Sequence, residues 1–201
     1  MTTIGILLFD GAEELDFAGP WEVFTASAML QELDGAPADT VMTIAETLEP
    51  VKCAKGLRVL PDHTLGDHLP LDVVLVPGGQ GTRTEMNNST ILEWLAKVDE
   101  TTTWTTSVCT GSFVVHQSGI GKGKRLATHW GAEDALESLG DVEVVRDMRW
   151  VVDGKVVSSQ GVSAGIDMAL WIVGQLHGPD HARNTQHYIQ YDPAPPYQAA
   201  I

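Results

Sequence analysis

Short apolar runs alternate along this chain with longer segments in which apolar residues recur every three or four positions. Thr3–Phe9 is almost continuously apolar, as a strand covered on both faces requires. After the acidic loop Asp10–Glu14, the segment Asp16–Leu33 sets Val23, Phe24 and Leu30 on one helical face, with Pro20 suited to a first turn. Val41–Ala45 predicts a second strand and Val51–Leu60 a hairpin about Lys55-Gly56. Leu71–Val76 predicts a third buried strand that runs straight into Pro77-Gly78-Gly79. Asn88–Val98 reads as a helix with Ile91, Leu92 and Leu95 at core spacing. Thr102–Val108 is a β-rich run ending at Cys109. Thr110–Ser118 and Trp130–Leu139 read as helices, Val142–Val145 as a strand, and Trp150–Ser158 as a hairpin turning at Asp153-Gly154. Ser163–Leu176 is the last helix the pattern predicts, and the proline-rich tail from Asp192 to Pro196 excludes regular structure.

Strands alternating with helical segments predict an α/β sandwich with a mainly parallel sheet. The absence of repeats and low-complexity linkers predicts one domain over residues 1–201. At 201 residues and 43% apolar, the chain can bury a core without a disulfide or metal staple. Twelve basic against 27 acidic side chains give a net charge of −15, which argues against a nucleic-acid partner. The opening MTTIGILLFD lacks the basic region and the length of an export signal, and no later apolar run reaches membrane-spanning length. Two scattered cysteines, Cys53 and Cys109, read as reduced thiols of a cytoplasmic protein.

The segment richest in chemistry is Ser107-Val108-Cys109-Thr110-Gly111-Ser112. A β-branched strand ends, one nucleophilic residue follows, and a glycine stands two positions later before a helix. Such a strand–turn–helix elbow exposes a nucleophile, and the helix start sets free N–H groups beside the sulfur. The competing reading makes Cys109 a small buried hydrophobe. Gly78 and Gly79 follow a buried strand, where parallel sheets bind ligands, and the N–H groups of Gly79 and Thr110 could form an oxyanion-type hole. An ordinary strand-ending turn is the alternative. Asp16 stands between Leu15 and Phe17 just before a helix, where it could equally be an N-cap. Gly119–Lys124 lacks the spacing of a phosphate loop, Gly78–Gly81 is no dinucleotide fingerprint, and Gly178-Pro179 separates His177 from His181. No cofactor and no metal is therefore expected.

Six strings, in order, resemble the ThiJ/PfpI superfamily and its isocyanide hydratase branch: GAEELDFAGP, VPGG, SVCTG, KGKRLATHW, VSAGIDMAL and YDPAPPY. The resemblance implies a flavodoxin-like three-layer sandwich, similar to class I glutamine amidotransferases, that works as a homodimer. It implies that Cys109 is the nucleophile and Asp16 the acid beside it. Gly78, Gly79 and Thr110 would form a polar cradle, Val162 a hydrophobic neighbour, and His129 and Trp130 an element close to the site. Thr110 replaces the histidine that follows the cysteine in PfpI-type peptidases, and Asp16 replaces the glutamate of many other members. Both departures agree with the isocyanide hydratase branch.

A thiol with pKa near 8.5 is only about 3% ionised at pH 7, and a helix terminus supplies about 0.3–2 kcal/mol towards the roughly 4 needed. A protonated Asp16 donating to the sulfur would supply the rest, so the expectation is a thiolate beside a neutral carboxylic acid. Such a pair suits addition to a small carbon electrophile, with hydration of an isocyanide to an N-substituted formamide as the leading reading. Glyoxalase or deglycase action on methylglyoxal, a thiol redox sensor and an effector-binding domain are the alternatives.

Overall fold

The computed structural model describes residues 1–195, so the Pro196-Tyr197 end of the YDPAPPY string lies outside the described residues. In chain order the first half comprises β1 (Thr3–Leu7), α1 (Glu14–Leu33), β2 (Thr40–Ala45), β3 (Val51–Lys52), β4 (Arg58–Val59), β5 (His63–Thr64), β6 (Val73–Val76), α2 (Thr82–Glu85) and α3 (Ser89–Asp99). The second half comprises β7 (Trp104–Val108), α4 (Gly111–Gln117), β8 (Lys124–Leu126), α5 (Glu133–Glu137), β9 (Val142–Val144), β10 (Trp150–Asp153), β11 (Val156–Ser159), α6 (Ala164–His177) and α7 (Pro179–Tyr188).

Seven strands form one sheet in the order β10-β11-β7-β6-β1-β2-β5, parallel except for the β10–β11 hairpin. Helices α1, α6 and α7 pack together on one side, and α4 packs with α2 and α3 and against β6 and β7. This three-layer arrangement explains why β6 is buried at all four positions: its side chains meet helices on both faces. The parallel strands β2-β1-β6-β7-β11 follow the doubly wound 2-1-3-4-5 order, and the chain direction across the sheet reverses between β1 and β6. Register sets Val76 of β6 opposite Ser107 of β7. The loops Pro77-Gly78 and Cys109-Thr110 therefore leave the sheet side by side.

The predicted elements are present, with three instructive differences. Helix α1 begins at Glu14, so Pro20 lies in its second turn and Asp16 is not an N-cap; that position is Glu13. Pro20 has no N–H, which leaves the Asp16 carbonyl without its helical donor. The segment before Val142–Val144 contains a strand the pattern did not predict, β8, which pairs parallel with β9 in a separate two-stranded sheet. Helix α7 follows α6 directly, with Gly178 at φ +90° at the break and Pro179 at the first helical position. Its sequence PDHARNTQHY has no apolar stripe, so periodicity could not reveal it. Among the described residues, no helix is long and apolar enough to cross a membrane.

Candidate active site

Cys109 follows β7 directly and takes φ +56°, a left-handed conformation that non-glycine residues adopt rarely. Gly111 opens α4 beside it, and a Cβ there would collide with the Val76 carbonyl, so only glycine lets the helix approach β6. The elbow thus has the predicted geometry. The sulfur faces the backbone N–H groups of Thr110 and Val162 and the Thr110 hydroxyl. Val162 is itself at φ +47°, a strained conformation for a β-branched side chain, and it aims a backbone donor rather than only an apolar group at the sulfur.

Asp16 projects from the first turn of α1 and is 0% exposed. Its Oδ2 accepts from the Gly78 N–H at 2.9 Å, and its carboxylate also meets the Cys109 side chain. Oδ1 is buried and, among the described residues, has no hydrogen-bond partner. Gly78 is the wedge between the reactive groups. A Cβ there would stand 2.6 Å from the Thr110 nitrogen and 2.7 Å from both Asp16 Oδ2 and Cys109 Cβ.

Burial pushes the Asp16 carboxyl up to about 7, helped by the nearby Glu13 charge and opposed by the Gly78 and Cys109 hydrogen bonds and the Lys55 charge. Burial also pushes the Cys109 thiol up, to about 12, with the Asp16 charge adding to it and the Thr110 and Val162 donors opposing it. Asp16 is thus raised by burial, and the Cys109 thiol is raised with it because desolvation outweighs its three donors while Asp16 is charged.

Cys109 is 6% exposed and opens onto a cavity of about 320 Å³. Gly79, Thr110, His129, Trp130 and Val162 line it with the cysteine, whereas Asp16 and Gly78 lie one layer behind. The expected pairing of Gly79 and Thr110 N–H groups into a hole needs correction. The Gly79 N–H donates to Thr110 Oγ1 at 3.0 Å, and the Thr110 N–H faces the sulfur. His129 Nδ1 accepts from the Gly131 N–H at 3.1 Å, and among the described residues the ring makes no hydrogen bond to Cys109. Trp130 is 77% exposed at the mouth, its ring 5.4 Å from that of His129.

Sequence reasoning missed Glu13 and Arg83, which also line the cavity. Glu13 is ion-paired with Lys55 of the β3–β4 hairpin. Arg83 belongs to the single-turn α2, too short for any periodic signal, although its place four residues after Gly79 was a usable clue. Cys53 is a buried free thiol outside the cavity, and among the described residues no group of three metal-binding side chains converges.

The family model described as DJ-1/PfpI matches residues 2–175. The chain belongs to the DJ-1/PfpI family. Within that family it is 37% identical over 196 residues to a Pseudomonas putida protein named isonitrile hydratase, covering 98% of this chain and 81% of the relative. It is 30% identical over 142 residues to a Caenorhabditis elegans protein named glutathione-independent glyoxalase DJR-1.2, covering 70% of this chain and 75% of the relative. A solved ThiJ/PfpI structure from Pseudomonas syringae superimposes with a TM-score of 0.89 at 29% identity, covering all of this chain and 79% of that one. The resemblance read from the six strings is thereby borne out at the level of the DJ-1/PfpI family and its flavodoxin-like fold.

Proposed function

We propose that this protein hydrates isocyanides to N-substituted formamides, with Cys109 as nucleophile and Asp16 as the proton carrier. The observation that carries the reading is one buried carboxyl, raised to about 7 and short of a hydrogen-bond partner, set against an elbow cysteine at a small cavity. The 37% identity to a relative named for isonitrile hydration supports it.

The two groups share one proton over the working pH range. Asp16 takes the thiol proton as the sulfur attacks, so the S–C bond forms and the S–H bond breaks. Asp16 then delivers that proton to the same carbon, giving a thioimidate, R–N=CH–S–Cys. Water adds to this carbon, the C–S bond breaks, the nitrogen gains a proton, and the formamide R–NH–CHO leaves with the thiol restored. The Thr110 and Val162 N–H groups stabilise the sulfur when it carries charge, at attack and again at release. Among the described residues no imidazole hydrogen-bonds the sulfur, which favours addition to carbon over expulsion of an amine from a peptide.

The test is formamide production from an aryl isocyanide by the purified protein, with Cys109→Ala as control. Turnover undiminished by Cys109→Ala overturns the reading. A second reading, α-oxoaldehyde hydration to a hydroxy acid, rests on the glyoxalase-named relative, and lactate formation from methylglyoxal in parallel separates the two. We also infer a cytoplasmic homodimer, a reading that rests on the sequence resemblance and that sedimentation of the purified protein tests.

A further inference from the structure

The cavity above Cys109 carries a positive charge that the proposed chemistry does not use. Arg83 donates through Nη1 to the Gly79 carbonyl at 3.0 Å, to Thr82 Oγ1 at 3.1 Å and to Thr110 Oγ1 at 3.3 Å. Its guanidinium carbon lies 5.9 Å from the centroid of the Phe113 ring, which holds the plane of the group. Among the described residues, Nε and Nη2 have no hydrogen-bond partner and no carboxylate lies within ion-pairing distance of the side chain. The other charged wall residue, Glu13, is ion-paired with Lys55. Behind the wall, Asp16 is raised to about 7 and so carries only part of a charge at neutral pH.

Among the described residues, the cavity therefore holds one cation without an ion-pair partner, its Nη1 and that atom's two hydrogens set among three oxygens. Its open Nε/Nη2 edge has the fork geometry that a carboxylate takes with two parallel hydrogen bonds. This stands out because the chain as a whole carries −15, a field that repels anions.

The geometry points to Arg83 as the residue that selects electrophiles bearing an anionic group, a carboxylate above all, for reaction at Cys109. Joined to the proposed hydration, the preferred substrate is an isocyano carboxylate and the product an N-formyl amino acid, R–N≡C plus water giving R–NH–CHO with the carboxylate untouched. That second statement rests on the isocyanide reading; the charge selection does not.

Alkylation of Cys109 by iodoacetate and by iodoacetamide tests the selection independently of any turnover. The ratio of the two rates is the readout, because a change in sulfur ionisation moves both together. We expect the iodoacetate-to-iodoacetamide ratio to fall about tenfold in Arg83→Gln and to recover largely in Arg83→Lys, as for a unit charge on the wall of the same solvent-open cavity. In the unsubstituted protein the ratio should fall as salt is added. A ratio that rises with salt reports control by the overall negative charge and overturns the proposal. An Arg83→Gln ratio equal to that of the parent overturns it too, as does a Cys109 that neither reagent reaches. With isocyanoacetate and its methyl ester, the carboxylate should have the higher kcat/KM and lose that advantage in Arg83→Gln. Turnover of neither ester nor acid, with the alkylation ratio still governed by Arg83, defeats the hydratase reading alone.

Discussion

Asp16 and Asp39 are both buried aspartates near the ends of α1, and their surroundings differ in one respect. Asp39 spends both oxygens: Oδ1 accepts from the Thr2 N–H at 2.6 Å, and Oδ2 meets His177 Nε2 at 2.5 Å and Gln31 Nε2 at 3.5 Å. Those contacts tie the start of β1, the C-terminal part of α1 and the end of α6 into one polar joint, with His181 of α7 adjoining through its ring, 5.4 Å from that of His177. Asp16 has one backbone donor on Oδ2 and nothing on Oδ1. A carboxylate whose lone pairs are filled is cheap to bury and holds elements together. One left half-filled is costly to ionise, and its pKa rises into the range where it can pass a proton at neutral pH. The contrast separates an acid whose hydrogen bonds tie elements together from one that the proposed reaction would use as its proton carrier.

The comparison can be broken most easily at the sulfur. Cys109→Ala should lower isocyanide turnover by about 10⁴-fold or more, since nothing else in the cavity can form the covalent bond. Asp16→Asn should lower kcat by about 10²–10³-fold, read as formamide formed per second. The same substitution should act on stability with a calculable sign. Because the folded carboxyl titrates near 7 rather than near its ordinary 3.8, stability is full below about pH 4 and falls by up to about 4 kcal/mol as the pH rises through 7. Urea melts at pH 5 and pH 8 should show about 2–3 kcal/mol of that loss in the parent and none of it in Asp16→Asn.

Asp39→Asn should do the reverse, costing about 2 kcal/mol of stability with kcat unchanged, because it leaves His177 and the Thr2 N–H short of a charged partner. An Asp39→Asn protein with parental stability and impaired turnover would dissolve the distinction. The smallest effect sits in the pH profile. kcat/KM should rise with pH through an apparent pKa near 7, as the second proton leaves the Asp16–Cys109 pair. Lys55→Ala removes a cation that lowers the Asp16 pKa, so that limb should move to higher pH.

Much of the site was legible because its signals are local. The Cys109 elbow and the Pro77-Gly78-Gly79 turn each follow a β-branched run that can hardly be anything but a buried strand, and their meeting follows from parallel order. Asp16 was legible only through resemblance to a family. Its position by itself suits a helix cap, and only the structure shows the helix starting at Glu14 with the carboxyl turned onto Gly78. Arg83 and Glu13 were illegible because a one-turn helix and a loop have no period, and their convergence depends on loops from separate strands. The Gly79 N–H was misjudged for a related reason. Sequence indicates that a donor exists at that turn, whereas its satisfaction by the Thr110 hydroxyl depends on a neighbouring loop. For the sulfur, the helix-start N–H was expected, whereas the Val162 N–H, the Thr110 hydroxyl and the cost of desolvation were not, since all three depend on tertiary packing.

The register that sets Val76 against Ser107 has a final consequence. Cys109, Asp16 and Gly78 are held by the sheet and by α1, while the far wall of the cavity is supplied by the Gln80–Arg83 turn and the His129–Ala132 segment, neither of which contributes a strand to that sheet. Replacing those two short stretches would therefore reshape the mouth of the cavity while leaving the Cys109 elbow and its Asp16 neighbour in place.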